Sequence, residues 1–352
     1  MSKLPRELPE DLQCHSEQFL HLNSAYQICL RLEEEIEADA TPAQNSKEQM
    51  MFCRILGYLL SYGPNINARV SVSKEIISCE DKMALVQLGK MYFDHYVRAF
   101  RSSKGPTPTP SNHTSRPSFD TMADMIKDCL EEAPHGHSTA KNQALVRDGF
   151  RCVVTGAYDI PSAEKSKELS GRALSEGANF VYTECAHILS ESTNLNATNS
   201  DEVWSIMNTF SSRKKLSDDL NGAKVHRLEN VMTLEYNVHR SFDTLAIWFA
   251  ATKTKNKYKL EGRSDMYLGF GRLPKHVTFT TTDPELLPVP SPDYLALHAA
   301  CAKVAHLSGA AKYIDKVLED LEEMPVLSED GSSARLLEDA LLHASSRSPV
   351  WV

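Results

Sequence analysis

Apolar residues recur at three- and four-residue intervals through residues 1–100, which is the spacing of one face of an α-helix. The pattern is clearest in AYQICLRLEEEIEAD, SKEQMMFCRILGYLLSYG and SKEIISCEDKMALVQLGKMYFDHYVRAF. Ser46 and Ser73 open the second and third stretches. We expect both to cap helices, because a serine hydroxyl accepts from the N–H groups of a first helical turn. The pattern predicts a helical N-terminal region over 1–100, a candidate for regulation, self-association or binding a protein partner.

A change of composition separates this region from the rest of the chain. Residues 101–120, RSSKGPTPTPSNHTSRPSFD, are rich in Pro, Ser and Thr and nearly free of large apolar side chains. That composition is typical of a linker. A second domain is predicted over 121–325, including a C-terminal helix, and residues 326–352 are predicted to form a loosely ordered tail.

β-Branched runs appear after residue 139. FRCVVTG and NFVYTECAHILS predict strands, and the preceding STAKNQALVRDG predicts a helix. RLENVMTLEYNVHRSFDTLAIWFAAT is predicted to pass from loop into helix, and NKYKLEG and HVTFTTTD predict further strands. The mixture predicts an α+β fold with a helical N-terminal region and C-terminal helices.

Charge and cysteine content indicate which partner and which cell compartment to expect. The 352 residues carry a net charge of −9, yet 13 Lys and Arg face 7 Asp and Glu between residues 210 and 280. A polyanion is therefore expected to bind in the middle of the chain. No apolar run has membrane-spanning length, and the first residues, MSKLPRELPEDLQ, do not read as a signal peptide. None of the eight cysteines forms a CxxC pair, which favours a reduced intracellular compartment, cytoplasm or nucleus.

A histidine and a carboxylate stand four residues apart in TLEYNVHRSFD, where a helix would place His239 and Asp243 on one face. Alone, such a pair is more often a surface contact than a functional site. The context changes this interpretation. Two strands, a loop and a helix, with His187 on the second strand and His239 on the helix, make the ββα-metal arrangement.

Four segments, RDGFRCVVTG, ECAHIL, ENVMTLEYNVHRSFD and LPVPSPDYLALHAACAKVAHLSGA, resemble the HNH endonuclease family, in particular its fungal HNH nuclease-like branch. They follow the order found in that family. The resemblance covers about residues 139–310 and none of 1–100. It implies a ββα-metal core that hydrolyses nucleic-acid phosphodiester bonds with one divalent metal ion.

The resemblance also implies roles for individual residues. His187 matches the general base, a task that suits imidazole because it titrates near neutral pH. Asn230 matches the middle residue, whose amide holds the backbone or the base in place, unless it is only a turn-forming asparagine. His239 matches the metal-binding histidine, and Asp243 can share the ion. Mg²⁺ or Mn²⁺ is the expected metal, with Zn²⁺ as the alternative.

One position departs from the family pattern. Ala186 stands where many members carry an acidic residue or a histidine that binds the metal. Glu184, two residues earlier on the same strand face, is either the substitute ligand or a solvated carboxylate. This departure keeps a second hypothesis open, a protein of the HNH fold that no longer cleaves and instead binds nucleic acid or a protein.

Basic side chains supply the candidates for binding nucleic acid, with DNA favoured over RNA. Four lysines alternate in TKTKNKYKL, so a strand would present all of them on one side. They either follow a phosphate backbone or protect an edge strand from aggregation. Arg240 extends the candidate surface, and Arg147 and Arg151 are interpreted as phosphate contacts or solvated side chains. The lysines are Lys253, Lys255, Lys257 and Lys259.

Overall fold

The structure is a computed structural model, and it confirms the predicted α+β fold class. The predicted tail, and the predicted linker beyond Arg101, lie outside the described residues. No helix in the described part of the chain is long and apolar enough to cross a membrane. The described residues are 2–12, 17–39, 44–101, 121–131, 136–189, 200–212, 216–269 and 272–323.

Helices outnumber strands in the described residues. The helices are α1 (Glu17–Ala38), α2 (Gln44–Tyr62), α3 (Ile66–Ser78), α4 (Lys82–Tyr92), α5 (Arg98–Arg101), α6 (Met122–Glu131), α7 (His137–Arg147), α8 (Ile160–Lys165), α9 (Lys167–Ser175), α10 (Ser200–Phe210), α11 (Leu216–Leu220), α12 (Tyr236–Asp243), α13 (Asp265–Gly269), α14 (Pro292–Ser308) and α15 (Ala310–Glu323). The strands are β1 (Tyr158–Asp159), β2 (Phe180–Val181), β3 (Thr183–His187), β4 (Val231–Glu235), β5 (Ile247–Ala251), β6 (Lys257–Gly262) and β7 (His276–Thr278). Short 3₁₀ turns cover Glu10–Leu12, Gly222–His226 and Leu228–Asn230, and a π-helical turn covers Phe93–Val97.

The chain divides into two compact units whose segments alternate along the sequence. Unit 1 takes residues 1–103, 192–217 and 297–352, and unit 2 takes residues 104–191 and 218–296. This division differs from the continuous boundaries predicted from composition. Part of the predicted second domain therefore belongs with the N-terminal helices.

Unit 1 is a helical assembly in which α1, α2, α3 and α4 pack on one another. Asn65 caps α3 by accepting from the Ala68 N–H, and Asp81 caps α4 by accepting from the Ala84 N–H. The prediction that Ser73 is a cap is wrong, because Ser73 lies inside α3 and its hydroxyl donates to Val70 O. Ser46 likewise lies inside α2, not before it.

Unit 2 contains the ββα element expected from the sequence pattern. Strands β3 and β4 pair antiparallel, with Thr183 opposite Glu235 and His187 opposite Val231. Helix α12 follows β4 directly and packs against both strands. Helix α7 also packs against β3 and β4. Its Ala140 and Ala144 share a buried cluster with Cys185 and Val231, so α7 covers the strand face that carries Cys185.

Two secondary-structure predictions in unit 2 are wrong. FRCVVTG is not a strand: it forms a turn with one isolated bridge from Arg151 to Tyr158. The turn follows from positive φ angles at Gly149 and Phe150. The true partner of β3 is β4, which the sequence pattern assigns to a loop leading into a helix. Its five residues, VMTLE, are too short and too apolar for periodicity to separate strand from helix.

The predicted lysine stripe is divided between a turn and a strand. Strands β5, β6 and β7 form an antiparallel sheet. Lys257 and Lys259 lie on β6, whereas Lys253 and Lys255 lie in the turn between β5 and β6. The four lysines therefore do not share one strand face, which corrects the sequence-based arrangement.

Arg147 is buried in unit 2 and ties α7 to β4. Its side chain has no exposed surface, and its Nε and Nη2 atoms bond to the Asp148 carboxylate at 2.7 and 2.9 Å. Asp148 in turn accepts from the Thr233 N–H. The guanidinium also donates to three backbone carbonyls, those of Leu228, Val231 and Pro288. Neither role suggested by the sequence, a phosphate contact or a solvated side chain, fits this environment.

We predict that Arg147→Ala lowers the free energy of unfolding of unit 2 by about 3–5 kcal/mol, because it leaves a buried carboxylate without its cation. Urea unfolding followed by circular dichroism measures the change. Arg172→Ala is the control, since that half-exposed arginine pairs with Glu168 on its own helix, and a change within about 0.5 kcal/mol is expected. Equal losses in the two variants would contradict the assigned role.

Candidate active site

Strand β3 distributes its side chains over two faces of the β3–β4 pair. Side chains alternate along a strand, so Cys185 and His187 point to one face and Glu184 and Ala186 to the other. Helix α7 covers the first face. Helix α12 covers the second, since its His239 contacts Glu184. The candidate residues therefore form two groups.

The first group, here called the carboxylate–imidazole group, consists of Glu184, His239 and Asp243. His239 is buried, and a carboxylate lies against each of its ring nitrogens. Nδ1 is 2.6 Å from Glu184 Oε2, and Nε2 is 3.2 Å from Asp243 Oδ2. Both carboxylates keep part of their surface exposed. The predicted pair of His239 and Asp243 on one helical face is thus present, and Glu184 joins it from β3.

The contact of His239 with Glu184 is shorter than its contact with Asp243, so the two carboxylates interact with the ring differently. The 2.6 Å contact to Glu184 has the length of a short, charge-assisted hydrogen bond. A carboxylate can only accept, so Nδ1 carries a proton there. In a neutral ring Nε2 then has a lone pair, and it faces a second acceptor, Asp243, at 3.2 Å. A proton or a cation between these two acceptors would make the contact favourable.

A divalent ion fits this position. Two ligands about 2.1 Å from an octahedral ion and about 90° apart lie about 3.0 Å from each other. The separation of Nε2 and the Asp243 oxygen is close to this value. Ala186, which is fully buried opposite Met232 on the same face, adds no donor because its side chain is a methyl group. Nε2 and Asp243 are therefore the candidate protein donors for an ion, and the Nδ1 contact to Glu184 would hold the ring in orientation.

The second group, here called the histidine cluster, consists of His137, Cys185, His187 and His226. His187 Nε2 lies 3.0 Å from His226 Nδ1. The His137 ring stacks on His187 with centroids 5.6 Å apart. One ligand atom from each of His137, Cys185 and His187 lies within 4.8 Å of the other two. Three elements of unit 2 therefore bring imidazole and thiol groups together at the end of β3.

Asn230 builds the frame of the histidine cluster. Its side chain is fully buried, and its amide nitrogen donates to Leu189 O at 2.8 Å and Val225 O at 2.9 Å. Its amide oxygen accepts from Leu189 N at 2.9 Å. These bonds fix the two residues that follow His187 beside the turn that carries His226. Of the two tasks expected of this amide, the structure shows backbone bonding.

The surroundings of His187 differ from the sequence-based expectation. The motif predicts a ring that faces solvent near the metal ligands, but the residue is only 8% exposed and contacts other histidines. Strand alternation explains this, because His187 and Glu184 are three residues apart and point to opposite faces.

Sequence reasoning missed His137 and His226. Cys185 could have been found from its i, i+2 spacing to His187.

The basic candidates lie at the surface. Arg240 is exposed on α12, next to His239. Lys253, Lys255 and Lys259 are exposed and Lys257 is half-buried. Lys259 pairs with Glu261 at 3.0 Å, which offsets part of its charge. Nothing in these positions selects one nucleic acid over another.

Comparison with known proteins relates the segment that carries this geometry to a protein family. Residues 152–250 match the family model of the HNH endonuclease. The HNH-like segment covers less than one third of the chain, and none of the curated proteins or solved structures compared gives a match. It includes β3, β4 and α12, and so both the carboxylate–imidazole group and His187. The resemblance predicted from the sequence is confirmed for this segment.

The match does not extend to every part of the site. His137 lies before the HNH-like segment. The fungal branch, and the roles of individual residues, stay predictions. The family nevertheless supports a nuclease-like function and use of nucleic acid. HNH nucleases usually use a divalent metal, whose identity in this chain is open.

We predict that Asn230→Ala lowers the free energy of unfolding of unit 2 by at least about 3 kcal/mol. The change leaves three buried backbone groups without partners, and each such group costs about 1–3 kcal/mol. Urea unfolding measures the loss. Asn237→Ala is the matched control, because Asn237 is exposed on α12, and a shift within about 0.5 kcal/mol is expected there. An Asn230→Ala variant as stable as this control would contradict the framing role.

Proposed function

We propose that unit 2 is a metal-dependent nuclease that hydrolyses phosphodiester bonds. The observation that carries the proposal is the buried His239 between two carboxylates, at the junction of strand pair and helix, inside the HNH-like segment. An active site of this kind needs a metal near the scissile phosphate and a base for the attacking water. The carboxylate–imidazole group would serve the first task and His187 the second. Because β3 sends the two to opposite faces, we propose that the attacking water reaches His187 around the end of β3, where the strand pair stops at His187.

His239 Nε2 and Asp243 would hold one divalent ion, while Glu184 keeps the ring in place through Nδ1. Two protein donors leave the other positions to water and phosphate, as is usual for Mg²⁺ or Mn²⁺. Zn²⁺ prefers three or four protein ligands and suits this pair less well. When bound, the ion polarises the scissile phosphate and stabilises the leaving oxyanion.

His187 would take the proton of the attacking water. Its Nε2 faces His226 Nδ1 at 3.0 Å, so the tautomer with a proton on Nε2 donates to His226. Nδ1 of His187 is then the acceptor for the proton of water. Asn230 contributes through the backbone, since it fixes the residues after His187 and before His226. General-base assistance of this kind is typically worth about 10²–10⁴ in rate.

Exposed basic side chains would bind the nucleic-acid backbone. Arg240 lies beside the metal-binding histidine on α12. Lys253, Lys255, Lys257 and Lys259 form a basic turn and strand start between β5 and β6. Contacts of this kind hold phosphate and do not read bases, so we propose weak sequence specificity. The proposal of DNA as substrate comes from the sequence resemblance and not from these contacts.

Two wider assignments accompany this proposal. Among the described residues, both units contain buried cysteines that form no disulfide. Cys29 of unit 1 and Cys152 of unit 2 are examples. Burial raises the pKa of Cys29 to about 12, so its thiol stays protonated as a core group. Reduced, buried thiols support a cytoplasmic or nuclear location.

The helices of residues 1–100 are proposed to bind a protein partner or a second copy of the chain.

We predict that the two carboxylates beside His239 differ in their effect on metal use. Glu184→Gln keeps an acceptor for Nδ1 and should raise the Mg²⁺ or Mn²⁺ concentration for half-maximal plasmid nicking by about 10-fold. Asp243→Asn removes a charged ligand and should raise it by more than about 100-fold, as should His239→Ala. Glu235→Gln is the control, because Glu235 lies at the end of β4 and bonds to Thr155. The reverse order would exchange the two roles.

We predict that His187→Ala lowers the rate of cleavage by about 10²–10⁴-fold while nucleic-acid binding is retained. Plasmid nicking and a fluorescence-anisotropy binding assay measure the two quantities. His276→Ala is the control, since His276 is exposed on β7. Undiminished cleavage in His187→Ala would defeat the mechanism. A parent protein that binds nucleic acid but does not cleave it with any divalent metal would instead favour the binding-module hypothesis.

A further inference from the structure

We infer that His137, Cys185 and His187 form a second metal site, built for a thiophilic divalent ion such as Zn²⁺, and that filling it withdraws His187 from proton transfer. The site itself is independent of the proposed function. The inhibitory consequence rests on the proposed role of His187 as general base. The two parts are therefore tested by different measurements.

Three side chains converge on one point at the end of β3. Cys185 and His187 are two residues apart on a strand, so both point to the face covered by α7. His137 is the first residue of α7 and reaches the same point. One ligand atom from each residue lies within 4.8 Å of the others. In a tetrahedral zinc site such atoms are about 3.3–3.8 Å apart, so only a small contraction is needed.

The donor set selects a different ion from the one expected at the carboxylate–imidazole group. A thiolate with two imidazoles prefers Zn²⁺ and other soft or borderline ions over Mg²⁺ and Mn²⁺. One nitrogen and one carboxylate, with water and phosphate, suit the harder ions. On binding, the Cys185 thiol releases its proton to solvent and its sulfur binds the ion. The two faces of the β3–β4 pair therefore carry two sites of different chemistry.

His226 supports the site without being one of its three ligands. Its Nδ1 contacts His187 Nε2 at 3.0 Å. Metal-binding histidines usually bond their second ring nitrogen to a neighbouring group, which fixes the ring. Nδ1 is then the nitrogen through which His187 can bind an ion while keeping this contact. The same Nδ1 accepts the proton in the proposed mechanism, so ion and water compete for it.

Cobalt(II) titration of the full-length protein tests the site directly. Co²⁺ substitutes for Zn²⁺, and a bond to thiolate gives an intense near-ultraviolet absorption that reports Cys185. We expect this band in the parent protein and its displacement by Zn²⁺. Cys185→Ala should lose the band, whereas Cys152→Ala, which removes another buried thiol of unit 2, should keep it. No band in the parent, or a band that survives in Cys185→Ala, would overturn the site.

Two further variants protect the test against a misfolded Cys185→Ala. His137→Gln changes a half-buried residue at the start of α7 and should weaken Co²⁺ binding by more than about 100-fold, since it removes one of three ligands. His226→Ala removes only the supporting contact and should weaken it by about 10–100-fold. Circular dichroism verifies the fold of each variant. A folded His137→Gln that binds Co²⁺ as tightly as the parent would overturn the ligand set.

The inhibitory consequence is measured as the ratio of Mg²⁺-dependent cleavage with and without Zn²⁺, taken within each variant. The parent should be inhibited by Zn²⁺. Cys185→Ala and His137→Gln should need at least about 10-fold more Zn²⁺ for the same inhibition. A Co²⁺ band without Zn²⁺ inhibition would overturn the competition for His187. A Co²⁺ band in a protein that never cleaves would leave the site established and contradict only the nuclease proposal.

Discussion

The buried amide of Asn230 is the constraint on which the site depends. It bonds to the backbone of Leu189 and of Val225, two residues that are 36 positions apart in the sequence. An amide is suited to this because it donates and accepts at once, so both carbonyls and one N–H are satisfied by one side chain. Without it, the segment after His187 and the turn that carries His226 have no shared anchor of this kind among the described residues. The histidine cluster is a product of that anchor.

A single pair of strands separates the two groups of candidate metal ligands. Strand alternation sends Glu184 towards α12 and Cys185 towards α7. One face therefore carries carboxylates, and the other carries a thiol and imidazoles. The two sets are close in sequence, but the hydrogen-bonded backbone of the strand pair lies between them. The helix on each face completes its own group, with His239 on one side and His137 on the other. A shift of register by one residue would exchange both sets.

Sequence reasoning succeeded where the chemistry is local. The pair of His239 and Asp243 follows from helical periodicity alone, and the α+β class follows from the mixture of patterns. It failed where contacts are distant in sequence or runs are short. His137 and His226 approach His187 only through tertiary folding. The five residues 231–235 carry no period that distinguishes a strand, so the pattern predicts loop and helix where β4 forms.

The alternating division of the chain has a consequence for biosynthesis. Unit 1 combines residues 1–103 with the later segments 192–217 and 297–352. On the ribosome, its N-terminal helices emerge first, yet the unit is complete only after α15 has been translated. The last segment of unit 2 ends at residue 296, within α14, so it is translated before the last segment of unit 1. Unit 1 is thus completed after the last segment of unit 2, and a chain truncated before α15 would lack part of unit 1.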